Sequence, residues 1–281
     1  MKIITKRIPL ESRGDVVRIV PIGDVHIGAS ACNEALLQRT IDRIAADESC
    51  YWIGLGDYCE FINVSDKRFS VASLAKWVRM EHLTDIAEAQ TERFLDFVRP
   101  IAGKCLALVQ GNHEMAIQER YENAVYNRIV QGIKKEAGME AKEPLAVGFY
   151  GWLLLKFRRS SEQGTLIRIN LHHGFVGGRL AGAKALNMQR WLWSHDCDLA
   201  LMGHSHNTEI QIETVESLDR NGNVFYHKRV GAFCGSFLET TNGDGGSYSE
   251  IGGYMPLKTG TIEITLRPGA EHKDDRVSVR A

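Results

Sequence analysis

The sequence predicts an α/β protein in which two β-sheets pack together with helices outside them. Three observations carry this expectation. In the first half, a short apolar run, a loop and a helical stretch recur three times, the rhythm of parallel βαβ units. The second half turns β-rich, with alternating runs and a hairpin signal. Aspartate, asparagine and histidine stand directly behind most of the apolar runs, where open α/β sheets gather their active sites.

Residues 16–22 are apolar and β-branched and end at Gly23-Asp24, a strand feeding a loop. Asn33 is a plausible helix cap, and Leu36, Leu37, Ile41 and Ile44 share one face of the helix that follows. Residues 51–55 form the next strand, ending at Gly56-Asp57, and residues 70–98 read as largely helical. Residues 105–109 form a third strand, ending at Gly111-Asn112-His113. Residues 115–139 read as helix, and residues 152–157 and 165–171 as strands. Residues 199–202 are a short apolar strand ending at Gly203-His204. Residues 208–215 and 224–230 alternate about a turn near Arg220-Asn221-Gly222, which reads as a hairpin. Residues 261–266 are a last strand, and the charged tail from Glu271 is expected to fray.

The expected organisation is one domain over residues 1–270, with an extra helical segment about 61–99 and a charged tail over 271–281. A chain of 281 residues, 44% hydrophobic and 25% charged, can bury a sizeable core. Lys plus Arg is 34 and Asp plus Glu is 35, a formal net charge of −1. Nothing global advertises nucleic acid or a membrane as partner. The N-terminus carries no secretory h-region, and no apolar run approaches the roughly 18 residues of a membrane span. The six scattered cysteines, with no Cys-x-x-Cys, read as reduced thiols of a cytoplasmic protein.

The chemistry lies in five clusters: Asp24-Val25-His26, Gly56-Asp57, Gly111-Asn112-His113-Glu114, His172-His173-Gly174 and Gly203-His204-Ser205-His206. Side chains at i and i+2 of an extended segment point the same way, so Asp24 and His26 can reach one ion. The two oxygens of Asp57 allow it to bridge two ions. Asn112 offers a neutral amide oxygen to a hard ion, and His113 can face the substrate as a general acid, oriented by Glu114. His204 and His206 again stand at i and i+2, one for each ion. Each cluster alone has an ordinary structural explanation, such as a capping aspartate, a polar turn or a solvated histidine. Six of the ten histidines fall in these clusters, which those explanations do not cover together. The set points to a two-metal hydrolase of phosphate esters.

In this order, the motifs from Gly23 to His206 resemble the calcineurin-like metallophosphoesterase superfamily. The resemblance implies a four-layer α-β-β-α sandwich of two mixed sheets packed face to face, and hydrolysis by metal-activated hydroxide. It implies Asp24, His26, Asp57 and His206 around the first metal, and Asp57, Asn112, one histidine of the His172–His173 pair and His204 around the second. Asp57 would bridge the two and His113 would face the substrate. Relatives with a single His before Gly favour His173; those with His-x-Pro would favour His172, and no proline follows here. The mixed imidazole and oxygen set suits Mn, Fe, Zn, Co or Ni, with Mn as the family habit.

Substrate choice has fewer signals. The glycine-rich stretch 174–184 can present backbone N–H groups to an anion, and Arg179 can pair a phosphate bidentately, alongside Asn112 and His113. Trp191, Trp193, Phe175, Tyr58 and Phe61 could stack on a base, although core packing is the commoner use of any one of them. Residues 241–248 form another glycine-rich loop. The leading expectation is a phosphodiesterase or phosphomonoesterase of a small or nucleotide-like substrate. The alternatives are a nuclease on DNA or RNA, a phosphoprotein phosphatase, and a binding scaffold without catalysis.

Overall fold

A computed structural model describes residues 1–66, 69–121, 124–158, 164–175, 181–240 and 255–281. The three strands expected in the first half are β2 (Val17–Ile22), β3 (Cys50–Gly54) and β4 (Cys105–Val109), following β1 (Lys2–Pro9). They run parallel, with Ile22 beside Gly54 and Gly54 beside Leu108, so their carboxyl ends align. β5 (Ala146–Gly148), β12 (Glu263–Leu266) and β13 (Val277–Arg280) complete a six-stranded sheet in the order β13-β12-β2-β3-β4-β5. β6 (Tyr150–Arg158), β7 (Thr165–His172), β8 (Leu199–Met202), β9 (Thr208–Leu218), β10 (Val224–Ser236) and β11 (Gly260–Thr261) join β1 in a seven-stranded sheet. Its order is β1-β6-β7-β8-β10-β11, with β9 paired to β10 as the expected hairpin.

Side-chain alternation along the strands builds the layers. Ile19, Ile53, Leu106 and Val109 meet Ile4, Leu153, Leu155, Ile167 and Leu171 in a core between the sheets. The opposite sides of the same strands, through Val20, Ile22, Trp52 and Leu108, pack under α1 (Glu34–Ala46), α2 (Ile86–Val98) and α4 (Val125–Glu136). On the far face, Met188 and Leu192 of α5 (Ala181–Ser194) cover Ala200, Met202 and Phe233. The result is the four-layer α-β-β-α sandwich. Asn33 caps α1 as expected, its side-chain oxygen accepting from the Leu36 N–H at 2.8 Å.

Three elements differ from expectation. β1 escapes sequence reading because Lys6 interrupts the inward positions of Ile4 and Ile8; the strand pairs parallel with β6, and the Lys6 ammonium meets Glu143 at 2.6 Å. The helix expected over 70–98 begins only at Ile86, capped by Asp85. Ahead of it lie short 3-10 turns at Val71–Ser73 and Met80–Thr84, whose Val71 and Met80 face solvent and give no apolar stripe. The charged tail does not fray: β13 pairs antiparallel with β12, and Asp274 accepts the Lys228 N–H at 2.8 Å. All six cysteines are free.

Candidate metal centre

The loops behind β2 and β3 are stitched to one another by backbone hydrogen bonds. The N–H of Asp24 donates to the Gly56 carbonyl at 2.9 Å, and those of Val25 and His26 donate to the Asp57 carbonyl at 2.9 and 3.1 Å. Behind β4 the chain turns at Gly111 straight into α3 (Asn112–Tyr121). A Cβ at Gly111 would lie 2.2 Å from both the nitrogen and Oδ1 of Asp57, so only glycine lets these two loops touch. Of the six non-glycine residues with positive φ among those described, five are Asp24, His26, Asp57, His204 and His206. Aspartate and histidine tolerate this left-handed region better than most residues, but each still costs about 1–3 kcal/mol, and such strain gathers at functional sites.

Two groups of side chains converge here. Asp24, His26 and His206 form the first, with His26 Nε2 3.3 Å from His206 Nε2 and Asp24 Oδ1 3.4 Å from the same atom. Asp57, His173 and His204 form the second, with His173 Nε2 3.3 Å from Asp57 Oδ2. Asn112 joins the second group, its Oδ1 2.9 Å from His173 Nε2. With the amide turned the other way, its nitrogen would donate to Asp57, His173 and His204 at 3.2, 2.9 and 2.7 Å. In either orientation the amide of Asn112 meets Asp57, His173 and His204 at one place, where oxygens and imidazoles together can surround an ion. Such a place calls for a cation. Asp24 Oδ1, buried and without a hydrogen-bond partner, makes the same demand in the first group.

Hydrogen bonds behind the cluster fix the rings. The Nδ1 of His173 faces the Leu55 carbonyl at 2.7 Å, so it carries the proton and leaves Nε2 as a donor of electrons. His26 Nδ1 faces the carboxylate of Glu60 at 2.7 Å, which likewise frees its Nε2. Sequence reading missed Glu60; nothing local marks it, and its role appears only through contact with His26. Glu60, His26 and His113 also lie close enough to hold an ion, but the bond from Glu60 to the far nitrogen of His26 fits an orienting role.

Glu114 does not orient His113, contrary to expectation. Its carboxylate accepts the N–H groups of Gly111, Asp57 and Tyr58 at 2.7, 3.0 and 2.8 Å. The ring of His113 is held from the other side, by the Glu60 carbonyl at 2.5 Å from Nδ1. The structure brings His173, fully buried, into the second group; His172 lies on the opposite side of the strand end, against Trp191, and accepts the Gly174 N–H at 2.7 Å. Arg179 and residues 241–248 lie outside the described residues. Tyr58 and Phe61 are buried and do not present a stacking surface.

Burial would raise the carboxyl of Asp24, but His206 and His173 hold it below its ordinary range. The same contest at Asp57, won by His173 and His113, leaves it well below. Burial would lower His173, yet Asp57 raises it to about 10. Burial also opposes the rise of His113, which Asp57 and Glu60 impose. His204 is lowered by burial and by His173, and His172 falls to about 4 for the same reasons. Burial, then Asp57, lifts Glu114 to about 7 against its N–H partners. In the ion-free protein, protons thus do the work of neutralising clustered carboxylates, a task that bound cations can take over. A cavity of about 310 Å³ opens next to the centre, lined by Asn112, His113 and Glu60 together with Asp66 and Arg120, which pair at 2.8 Å.

Fold and centre together define a four-layer α-β-β-α protein with a buried carboxylate–imidazole cluster suited to divalent cations. The chain belongs to the calcineurin-like phosphoesterases, whose family model matches residues 17–208, more than half of it. Metal-dependent phosphoester hydrolysis is the chemistry of that family. No curated protein matches the sequence. Among solved structures, the chain is similar to a metallophosphoesterase from Sphaerobacter thermophilus at 12% identity and TM-score 0.40, covering 94% of this chain and 87% of that one. It is similar to wild-type Vps29 complexed with zinc from Entamoeba histolytica at 12% identity and TM-score 0.38, with 94% and 90% covered. GAP50, the anchor in the inner membrane complex of Plasmodium, aligns at 10% identity and TM-score 0.44, with 94% and 88% covered. Among the described residues, no helix is long and apolar enough to cross a membrane.

Proposed function

We propose that this chain is a two-metal phosphoesterase that hydrolyses a phosphodiester or phosphomonoester of a small or nucleotide-like substrate. One observation supports it above others: two groups of metal-ligand side chains, Asp24–His26–His206 and Asp57–His173–His204, converge with their ligand atoms within 4.8 Å of one another in each group. In this reading Asp24, His26, Asp57 and His206 hold one ion. Asp57, Asn112, His173 and His204 hold the other, with Asp57 common to both. Imidazoles and oxygens without a thiolate suit Mn, Fe, Zn, Co or Ni, and Mn is the working choice. When bound, the ions supply Lewis acidity and lower the pKa of water near the phosphorus.

The protein's own groups do the rest. The Glu60 carbonyl holds Nδ1 of His113, a residue that lines the cavity, and leaves Nε2 available to a leaving oxygen. In the ion-free protein Asp57 and Glu60 raise this ring against burial, which favours the protonated form that a general acid needs. Asn112 and Arg179 are proposed to contact the phosphoryl oxygens. The six free cysteines support a reducing, cytoplasmic setting.

The test uses metal-stripped protein, Mn added back, and chromogenic phosphate mono- and diesters, with His113→Ala as control. Mn-dependent turnover that falls about 10²–10⁴-fold in the variant is expected. A folded protein that binds Mn yet turns over no ester with any of the five metals would overturn the reading.

A further inference from the structure

One exposed aromatic ring stands beside the second group of the centre. Phe175 is 53% exposed, whereas Tyr58 and Phe61, the other candidates near the motifs, are 0% and 5%. The chain reaches Phe175 directly from the site. His173 is in the cluster, and Gly174 passes so close to His204 that a Cβ would lie 2.6 Å from the His204 Cβ. Gly174 takes φ +123°, which a side chain would strain, so the turn that aims residue 175 is fixed by the site itself.

Rings behind Phe175 brace it. Its ring centroid lies 5.3 Å from that of His172, edge to face, and 5.5 Å from that of Trp191. Trp191 stacks on His195 at 4.2 Å and donates its indole N–H to Asn170 Oδ1 at 2.7 Å. His172 is pinned by the Gly174 N–H at 2.7 Å. An apolar ring left in water two residues from His173, and braced by rings that are themselves hydrogen-bonded, is arranged for a planar ligand group.

We propose that Phe175 is a specificity-determining residue: its free face stacks on a planar aromatic group esterified to the phosphate, so the preferred substrates carry an aryl group or a nucleobase. The inference rests on the phosphoesterase reading for the identity of the anchored phosphate. It names what lies next to that phosphate.

Two measurements on Mn-loaded protein test it, using wild type, Phe175→Ala and Phe175→Trp. The first is calorimetric binding of phenyl phosphate against methyl phosphate, which needs no turnover. Stacking of a ring on an aromatic side chain changes affinity by about tenfold or more. Wild type is therefore expected to bind phenyl phosphate about tenfold tighter, Phe175→Ala to lose that preference, and Phe175→Trp to keep it. The second is kcat/KM for phenyl phosphate against methyl phosphate, read as released inorganic phosphate and compared between variant and wild type within each ester. Phe175→Ala should lower the phenyl ester about tenfold and spare the methyl ester. Equal binding of the two phosphates by wild type, or equal losses on both in Phe175→Ala, would overturn the proposal. Ring-selective binding without hydrolysis of either ester would uphold the stacking role while the hydrolase reading fails.

Discussion

The carboxylate of Glu114 accepts the backbone N–H of Asp57 at 3.0 Å. With Tyr58 and Gly111 on the same carboxylate, it ties the loop behind β3 to the loop behind β4. Removing it strands three buried N–H groups at about 1–3 kcal/mol each. Glu114→Ala is expected to lower unfolding free energy by at least about 3 kcal/mol, with Glu114→Gln milder because one acceptor survives. Urea unfolding of the ion-free proteins measures this. A loss under about 1 kcal/mol for Glu114→Ala would show that the loops hold without it.

Glu60 acts on metal through His26, whose ring it orients at 2.7 Å. Changes to such orienting partners typically cost about 10–100-fold in metal affinity or activity. Glu60→Gln should weaken Mn binding by that factor, read by titration against a competing chelator. Unchanged affinity would relegate the contact to packing.

Proton and metal compete at His173, and the sign follows from its shift. Asp57 raises it to about 10 in the folded, ion-free protein, against burial. A histidine raised on folding contributes stability that is full below its unfolded pKa of about 6.5 and is lost as pH climbs through the folded value. Chelated protein should therefore lose thermal stability between about pH 6.5 and 10. Metal-loaded protein should gain affinity over the same window, because binding displaces that proton. Calorimetry in buffers of different ionisation enthalpy should detect proton release at pH 7. No release would contradict the assignment of His173 as a ligand.

The cysteines should be silent. Burial pushes the thiol of Cys50 up to about 11 and that of Cys197 up to about 12, and raises Cys59, Cys105 and Cys234 further. The thiolate is the reactive form, so maleimide labelling at pH 7 should be slow in the native protein and complete in denaturant. Rapid native labelling of any of these five would refute this.

Much of the frame was legible because it rests on local signals. The runs at 16–22, 51–55, 105–109 and 199–202 are short, apolar and bounded by glycine, and each matches a strand within a residue or two. Behind them the ligand-type residues were legible by kind and order, whereas the i, i+2 geometry of an extended segment does not apply, because Asp24, His26, His204 and His206 take positive φ. β1 was not legible, since Lys6 breaks its alternation and its partners, β6 and Glu143, are remote in sequence. The tail at Val277–Arg280 looked free for a similar reason: its order comes from β12.

Within the centre, sequence by itself determined the kinds of donor atom and their place at strand ends, because an apolar run ending in glycine and a ligand residue is a local pattern. Only the tertiary structure decided which atoms face one another. It put His173 inside and His172 outside, gave His26 to Glu60, moved Glu114 from the ring of His113 to the backbone of Asp57, and left Phe175 exposed on a bed of rings. Each of those outcomes depends on the register of two sheets and on loops that meet across tens to hundreds of residues. Side-chain spacing along one segment carries no information about that distance.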